Sequence, residues 1–320
     1  MSTAVESIAA VKRLAGSAWA VRGLVSILTL ALVFVAVDPS AVVQALVRVG
    51  PSLWLSILAV YLLGHVVAAY KWRALAAPGA TFPVALRAHF SGLAANIALP
   101  GAASGDLVRA GLLYGRSADR ARLAAGSFAD RLVDTCGLVM LCIIALLQVR
   151  QALDPQTVIW LSGAATAALA AAFAARPILL KLSRSVSPGG KLGSTVRKLA
   201  AAGLVLLDNP RCLLFWLAVS MAIQAVFIAA SEIIGRAAGV DAALPVWFFA
   251  WPLSKLVATI PISAGGIGVR EASLAAIMAP FGADPAGVVA AGLTWQSIVI
   301  LGGLLGSLAA WAMRGAGQHG

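Results

Sequence analysis

Charged side chains within long apolar stretches are the residues of this sequence that could do chemistry. An ionised group at membrane depth is costly, so such a residue marks a functional site by default. The candidates for a binding site are Asp106, Arg109, Asp130, Arg131, Asp134, Arg270 and Glu271, and Lys255 and Glu232 lie in similar surroundings. An arginine among them could bind an anionic head group, or it could form an internal ion pair that locks two helices together, such as Arg109 with Asp130. Both readings can hold at once, because a site is often built on such pairs.

Two of these arginines end a short phrase that occurs twice in the chain. The copies are Pro100-Gly-Ala-Ala-Ser-Gly105-Asp-Leu-Val-Arg109 and Pro261-Ile-Ser-Ala-Gly-Gly266-Ile-Gly-Val-Arg270. Each has a glycine five residues and an arginine nine residues after the proline. Matching breaks in two apolar halves indicate an internal repeat, and in membrane transporters they are the best sequence pointer to a binding site.

Glycine allows backbone conformations that other residues resist and lets a second helix or a ligand approach closely. The glycines predicted to serve the site are Gly105, Gly265, Gly266 and Gly268. A broken hairpin points helix N-termini into the protein, with free N–H groups and a partial positive charge. Together with Arg109 and Arg270 they would form an anion site near the membrane midplane, suited to phosphate. The plainer alternative is that the glycines only permit tight helix packing, which is the better reading of Gly302-x-x-x-Gly306 in the last span.

Composition decides the class of protein that must position these residues. The chain is 61% hydrophobic and 11% charged, with a mean hydropathy of +0.94, whereas a soluble domain carries roughly 25% charged residues. We therefore predict an all-α polytopic integral membrane protein. The net charge of +12 follows from basic residues that lie between apolar spans, which excludes nucleic acid as the expected partner.

Six transmembrane helices are expected, because a span needs about 20 mostly apolar residues. Their predicted ranges are 21–38, 51–70, 122–147, 156–175, 212–236 and 286–313. With the N-terminus inside, seventeen lysines and arginines fall on the cytoplasmic side and three on the other side. This asymmetry predicts that both termini are cytoplasmic.

Two further apolar segments do not fit as spans. Residues 83–113 begin and end among cytoplasmic basic residues, and residues 243–282 begin and end on the opposite side. Each contains one copy of the phrase, so each is predicted to be a re-entrant hairpin that is broken at its proline. Hairpins from opposite faces give an inverted repeat, with one half at about 51–147 and the other at about 212–313.

Residues 176–211 form the main extramembrane piece that the pattern predicts. This basic segment could lie on the anionic inner leaflet, or it could be a plain cytoplasmic loop that obeys the positive-inside rule. The three cysteines and three histidines are scattered without metal-ligand spacing, so no metal, cofactor or disulfide framework is expected.

The motif set resembles that of the lysylphosphatidylglycerol synthase transmembrane family, over about residues 20–315. The residues that carry the resemblance are Asn96, Pro100, Gly105-Asp106, Arg109, Asp130-Arg131, and Pro261-x-Ser263-x-Gly265-Gly266-x-Gly268-x-Arg270-Glu271. Ser104 departs from a Gly-Gly-Asp run that is common there. The family forms the flippase region of bifunctional synthetase/flippase proteins and also occurs as stand-alone membrane proteins. No soluble aminoacyltransferase domain is seen here, so lysylation is not expected.

The resemblance implies lipid translocation between the leaflets of a cell envelope membrane. We expect a flippase in the cytoplasmic (inner) membrane for an anionic phospholipid or a polyprenyl or isoprenoid-type lipid, and no enzymatic activity. The expected substrate-binding residues are the charged set above with Asn96, Ser263 and the four glycines. One alternative is a non-transporting accessory protein that serves a lipid-synthesising enzyme or glycosyltransferase. A third is a lipid-modifying enzyme that uses Asp130 and Asp134. A homodimer is possible in each case.

Overall fold

The computed structural model describes residues 23–98, 104–115, 117, 119–185, 191–258, 263 and 266–312. Over these residues the secondary structure is helical, with no strand. The helices are α1 (Gly23–Ala36), α2 (Pro39–Val49), α3 (Pro51–Ala76), α4 (Phe82–Ala98), α5 (Ser104–Tyr114), α6 (Arg120–Val149), α7 (Pro155–Ser185), α8 (Lys191–Leu207), α9 (Pro210–Ala237), α10 (Leu244–Ala258), α11 (Val269–Met278) and α12 (Pro285–Ala312). Short 3₁₀ turns extend α6 and α11.

Four helices of the described chain are long and apolar enough to cross a membrane, namely α3, α6, α9 and α12. A fifth span results if the bent pair α1 and α2 counts as one. The predicted all-α polytopic class is confirmed. The count of six stays a prediction, because it requires the stretch 156–175, which lies within the 31-residue helix α7.

The first predicted span, 21–38, differs from a straight helix. α1 ends at Ala36, and α2 leaves it at an angle of 99°. Asp38 caps α2 by accepting a hydrogen bond from Ser40 N at 2.9 Å, and Pro39 occupies the first helical turn. A side-chain cap followed by proline starts a new helix, so the chain turns where hydropathy alone shows only one apolar run.

Helices α4 and α5 lie side by side as the two arms of the first predicted hairpin. Gly105 N at the start of α5 donates to Asn96 Oδ1 near the end of α4 at 2.8 Å, and a Cβ at Gly105 would overlap the Gly92 carbonyl oxygen. The break between them, residues 99–103 with Pro100, lies outside the described residues. The two arms pack against each other, and the break at Pro100 and the re-entry into the membrane stay predictions.

Helices α10 and α11 form the second broken pair. Pro261 and Gly265 lie outside the described residues, but Gly266 and Gly268 are described, with φ of 77° and 83°. These left-handed values favour glycine. Gly268 N donates to Glu271 Oε2 at 2.8 Å and so fixes the start of α11. The inverted symmetry that would relate this pair to α4 and α5 stays a prediction.

Most of the buried apolar side chains form one core between α2, α3, α6, α9, α10, α11 and α12. Helix α12 packs against α4, α3, α2, α9 and α11, and its glycines make this possible. A Cβ at Gly302 would lie 2.6 Å from the Tyr61 ring, and one at Gly306 would overlap the Phe90 ring. The packing interpretation of Gly302 and Gly306 is confirmed.

Candidate functional site

A fully buried lysine lies at the centre of the site. Lys71 Nζ is 2.8 Å from Asp130 Oδ1 and 2.5 Å from Asp134 Oδ1. The two carboxylates are one turn apart on α6, so both face the same point on α3. The predicted span 51–70 stops before Lys71, whereas α3 continues to Ala76 and Lys71 is buried within it. A lysine at the end of an apolar run is typical of the cytoplasmic end of a span. The residue type and position of Lys71 therefore gave no indication that its side chain is buried.

Arg109 joins α5 to the same cluster. Its Nη2 is 2.9 Å from Asp106 Oδ1 and 3.1 Å from Asp130 Oδ2, and its guanidinium carbon lies 4.8 Å from the centre of the Trp72 ring. The predicted pair Arg109–Asp130 is confirmed. Its Nε is buried without a hydrogen-bond partner in the described chain.

The outer members of the cluster remain accessible. Arg131 Nη2 lies 2.8 Å from Asp106 Oδ2, with side-chain exposures of 50% and 27%, and Asp134 is 43% exposed. The directly paired groups balance, with three cations against three carboxylates. Because Arg131 is half-exposed, an incoming anion can reach it at the surface of the cluster without first separating Lys71 from Asp130.

Gln224 connects this cluster to the second broken pair. Its Nε2 donates to the Asp134 carbonyl oxygen at 2.7 Å, and its Oε1 accepts from Lys255 Nζ on α10 at 3.4 Å. Lys255 is exposed and lies within electrostatic range of Asp134, Arg131 and Arg270. The charges of this cluster and of the second broken pair therefore act on one another.

Arg270 and Glu271 form a separate buried ion pair at the start of α11. Arg270 Nη2 lies 2.6 Å from Glu271 Oε1 and donates to the Gly292 carbonyl oxygen at 3.1 Å. The guanidinium carbon is 5.6 Å from the centre of the Trp251 ring. Arg270 Nε and Ser263 Oγ are buried without hydrogen-bond partners in the described chain. Buried polar atoms of this kind usually meet water or a ligand.

Two histidines continue the cluster away from Arg109. His89 Nδ1 lies 3.2 Å from Arg109 Nη1, and His89 Nε2 lies 3.1 Å from His65 Nδ1. Their separation by 24 residues hid this contact in the sequence. The only available signal was that each histidine stands in an apolar helix.

The remaining predicted residues are placed as follows. Asn96 Oδ1 accepts from Gly105 N and Ser104 Oγ, so it holds the two arms of the first pair together. Gly105 permits that approach, Gly266 and Gly268 shape the start of α11, and Gly265 lies outside the described residues.

Among the described residues no group of three metal-ligating side chains could hold an ion. The expectation of no cofactor is left as a prediction.

Comparison with known families identifies the class of protein to which the chain is similar. A family described as "Lysylphosphatidylglycerol synthase TM region" matches residues 19–306. No curated protein compared with the chain matches it.

Proposed function

The chain belongs to the lysylphosphatidylglycerol synthase transmembrane family, and from this premise we propose that it moves an anionic lipid between the two leaflets of a cell membrane. Membership and the apolar helices make it a multi-pass membrane protein of lipid-related function. The proposed cargo is an anionic phospholipid or a polyprenyl or isoprenoid-type envelope lipid. The protein acts as a transporter and carries out no covalent chemistry in this proposal.

The observation that carries the proposal is a balanced cluster of ion pairs with an accessible edge, set on α3, α5 and α6, of which α3 and α6 can span a membrane. Asp106, Arg131 and Asp134 are part-exposed, and Lys71, Arg109 and Asp130 behind them are buried. A lipid-facing protein gains nothing from charged groups at an accessible surface unless water or a polar head group meets them. A head group that crosses the bilayer needs such a lining.

Arginine suits the phosphate of the head group. Its planar guanidinium donates two parallel hydrogen bonds to phosphate oxygens, as it does to a carboxylate. Arg109 and Arg131 both contact Asp106, so a phosphate can take the place of that carboxylate. The acyl or isoprenoid chains stay in the bilayer while the head group crosses.

Arg270 offers a second position on the way. It is mostly buried, at 12% side-chain exposure. Its Nε and the Ser263 hydroxyl, both in the second copy of the phrase, are buried without a hydrogen-bond partner in the described chain. Lys255 lies within electrostatic range of both Arg270 and Asp134. A head group could pass from one arginine to the other without losing contact with positive charge.

An accessory role is the second candidate function. The same cluster could bind a lipid carrier for a lipid-synthesising enzyme or a glycosyltransferase without moving it. The exposed apolar side chains of α3 and α9, such as Leu63 and Leu214, would serve a partner as well as they serve lipid. Transport is preferred because the charged cluster reaches across three helices.

Reconstitution into liposomes tests the proposal. The vesicles are phosphatidylcholine with a trace of fluorescent phosphatidylglycerol in one set and a fluorescent polyprenyl phosphate in another, and a membrane-impermeant quencher reports the outer leaflet. We expect one of the two anionic probes to become fully accessible. Arg131→Gln should slow that movement at least about tenfold, whereas Arg150→Gln, an exposed arginine outside the cluster, should not.

If neither probe moves faster than in protein-free vesicles, transport of these lipids is wrong. Retention of an anionic lipid on the purified protein in that case would favour the accessory role. Release of a modified lipid, seen by mass spectrometry, would favour the enzyme.

A further inference from the structure

The contact between Arg109 and His89 determines how the two histidines are protonated. A guanidinium has only donors, so His89 Nδ1, at 3.2 Å from Arg109 Nη1, must accept with its lone pair. His89 is then neutral and carries its proton on Nε2. That N–H points at His65 Nδ1, at 3.1 Å, which must accept in turn. Both rings are therefore neutral with the proton on Nε2 for as long as Arg109 stays in place.

The charges around the pair favour this neutral state. Lys71 and Tyr61 face it from α3, Arg109 from α5, Asp134 from α6 and Lys255 from α10. Helix α9 presents the Phe227 ring, and α12, which packs on α4, contains no ionisable residue. Lys71, Arg109 and Lys255 oppose a further positive charge on these rings, and Asp134 favours one on His65.

Moving Arg109 changes this balance. If a lipid phosphate draws the guanidinium away, His89 Nδ1 loses its donor and its lone pair becomes free. The closest cation to the ring leaves at the same time, and the carboxylates of Asp106 and Asp130 lose one counter-charge. A proton on His89 Nδ1 would replace the lost charge.

We propose that His89, with His65 behind it, is a proton-binding site coupled to Arg109: His89 takes up one proton when an anionic ligand draws Arg109 away and gives it up when Arg109 returns. The proton comes from water and forms the Nδ1–H bond of an imidazolium, and the same bond breaks when Arg109 returns. The inference rests on the proposed binding of an anion at Arg109. It makes lipid transport a proton-coupled process, with a neutral ligand–proton pair as the species that is bound.

Nitrogen NMR of histidine tests the coupling directly. The chain contains only three histidines, so ¹⁵N-histidine labelling in a His319→Gln background leaves two ring systems to assign. In phosphatidylcholine nanodiscs we expect both rings to be neutral with the proton on Nε2. In Arg109→Gln the ratio of protonated to neutral His89 at pH 6 should rise about tenfold, while Arg150→Gln should leave it unchanged. A proton on His89 Nδ1 in the unaltered site, or an unchanged ratio in Arg109→Gln, would overturn the inference.

Transport in liposomes gives a second readout if Arg109→Gln does not insert. One required proton predicts that translocation of the anionic probe slows as pH rises, by up to about tenfold per pH unit. His89→Gln should be slow and independent of pH. Translocation that is equally fast at pH 6 and pH 8 would contradict the proton coupling, while the proposal that the protein transports lipid would still hold. If the unaltered protein translocates no lipid but its histidines have the predicted protonation states, the proposal of lipid transport is contradicted instead.

Discussion

At the scale of single residues, Lys71 is the group on which the cluster depends. It is fully buried and lies within ion-pair distance of Asp130 and Asp134. Removing one partner of a buried pair leaves an uncompensated charge, which costs more than the pair itself contributes. We predict that Lys71→Met lowers the free energy of unfolding by about 3–5 kcal/mol, measured by thermal unfolding in detergent.

The matched control is Lys198→Met, which removes an exposed lysine on α8. Its effect should stay within about 0.5 kcal/mol, as is usual for surface substitutions. Equal unfolding temperatures for the two variants would show that Lys71 is not the counter-charge of the two carboxylates.

Arg270 separates a phosphate site from a purely structural ion pair. Lysine keeps the charge and can still pair with Glu271, but it lacks the planar fork that binds phosphate through two hydrogen bonds. We predict that Arg270→Lys inserts and stays folded while its rate of lipid translocation in liposomes falls at least about tenfold. Neutralising the exposed Arg197 and Lys198 together should do less. A normal rate in Arg270→Lys would leave the ion pair as the sole role of this arginine.

The sequence could indicate some of these residues and not others. Asp106, Arg109 and Asp130 are conspicuous because a charge in an apolar stretch is costly wherever the helix packs. Lys71 was missed because its meaning depends on where α3 ends, and hydropathy does not locate that end. The contact between His65 and His89 was missed because it arises only when α3 packs on α4.

At the scale of helices, Gly126 determines how closely α6 approaches α3. A Cβ at this position would overlap Ala76 Cα and the Leu75 carbonyl oxygen and would lie 2.8 Å from Leu75 C. Backbone cannot move aside as a side chain can, so α6 would have to shift and carry Asp130 away from Lys71. We predict that Gly126→Ala destabilises the protein by about 1–3 kcal/mol, the usual range for overpacking, and slows translocation.

Gly111 provides the matched control for that change. It lies in the helix α5, and a Cβ there would meet nothing within 4 Å. Because alanine is the better helix former by about 1 kcal/mol, Gly111→Ala should leave the unfolding temperature unchanged or raise it. A lower unfolding temperature for Gly111→Ala than for Gly126→Ala would contradict the close approach of α6 to α3.

The same scale shows where hydropathy is a limited guide. It places the ends of α6, α9 and α12 to within about two residues, because each is a long apolar run, but it ends α3 at residue 70 rather than at Ala76. It does not show the 99° turn between α1 and α2. That turn depends on two residues, the capping side chain of Asp38 and the proline after it, which hardly change the mean hydropathy of the apolar run around them. Proline and glycine gave a direct signal in the stretches between α4 and α5 and between α10 and α11, where the sequence predicts breaks.

At the scale of the whole molecule, polar contacts through α9 join the first cluster to the second broken pair. Gln224 on α9 bonds to Asp134 on α6 and to Lys255 on α10, so it lies between the first cluster and the second pair. The charged groups of the two copies of the phrase are therefore linked by Gln224 and by the electrostatic interaction of Lys255 with Arg270. If such a site is to open alternately to the two leaflets, the two broken helix pairs must enter the membrane from its opposite faces.

Topology decides whether they do. Gly115 follows the first pair and Ala279 follows the second, and both positions are exposed. In a background with Cys136, Cys142 and Cys212 replaced by serine, we predict that a membrane-impermeant thiol reagent labels Gly115→Cys and Ala279→Cys from opposite sides of the membrane. The positive-inside asymmetry assigns Gly115 to the cytoplasm. Asp154→Cys, an exposed position between α6 and α7, should label from the same side as Ala279→Cys. Labelling of Gly115→Cys and Ala279→Cys from one side would rule out the inverted repeat, and the head group would then need a route that does not pass between two opposed pairs.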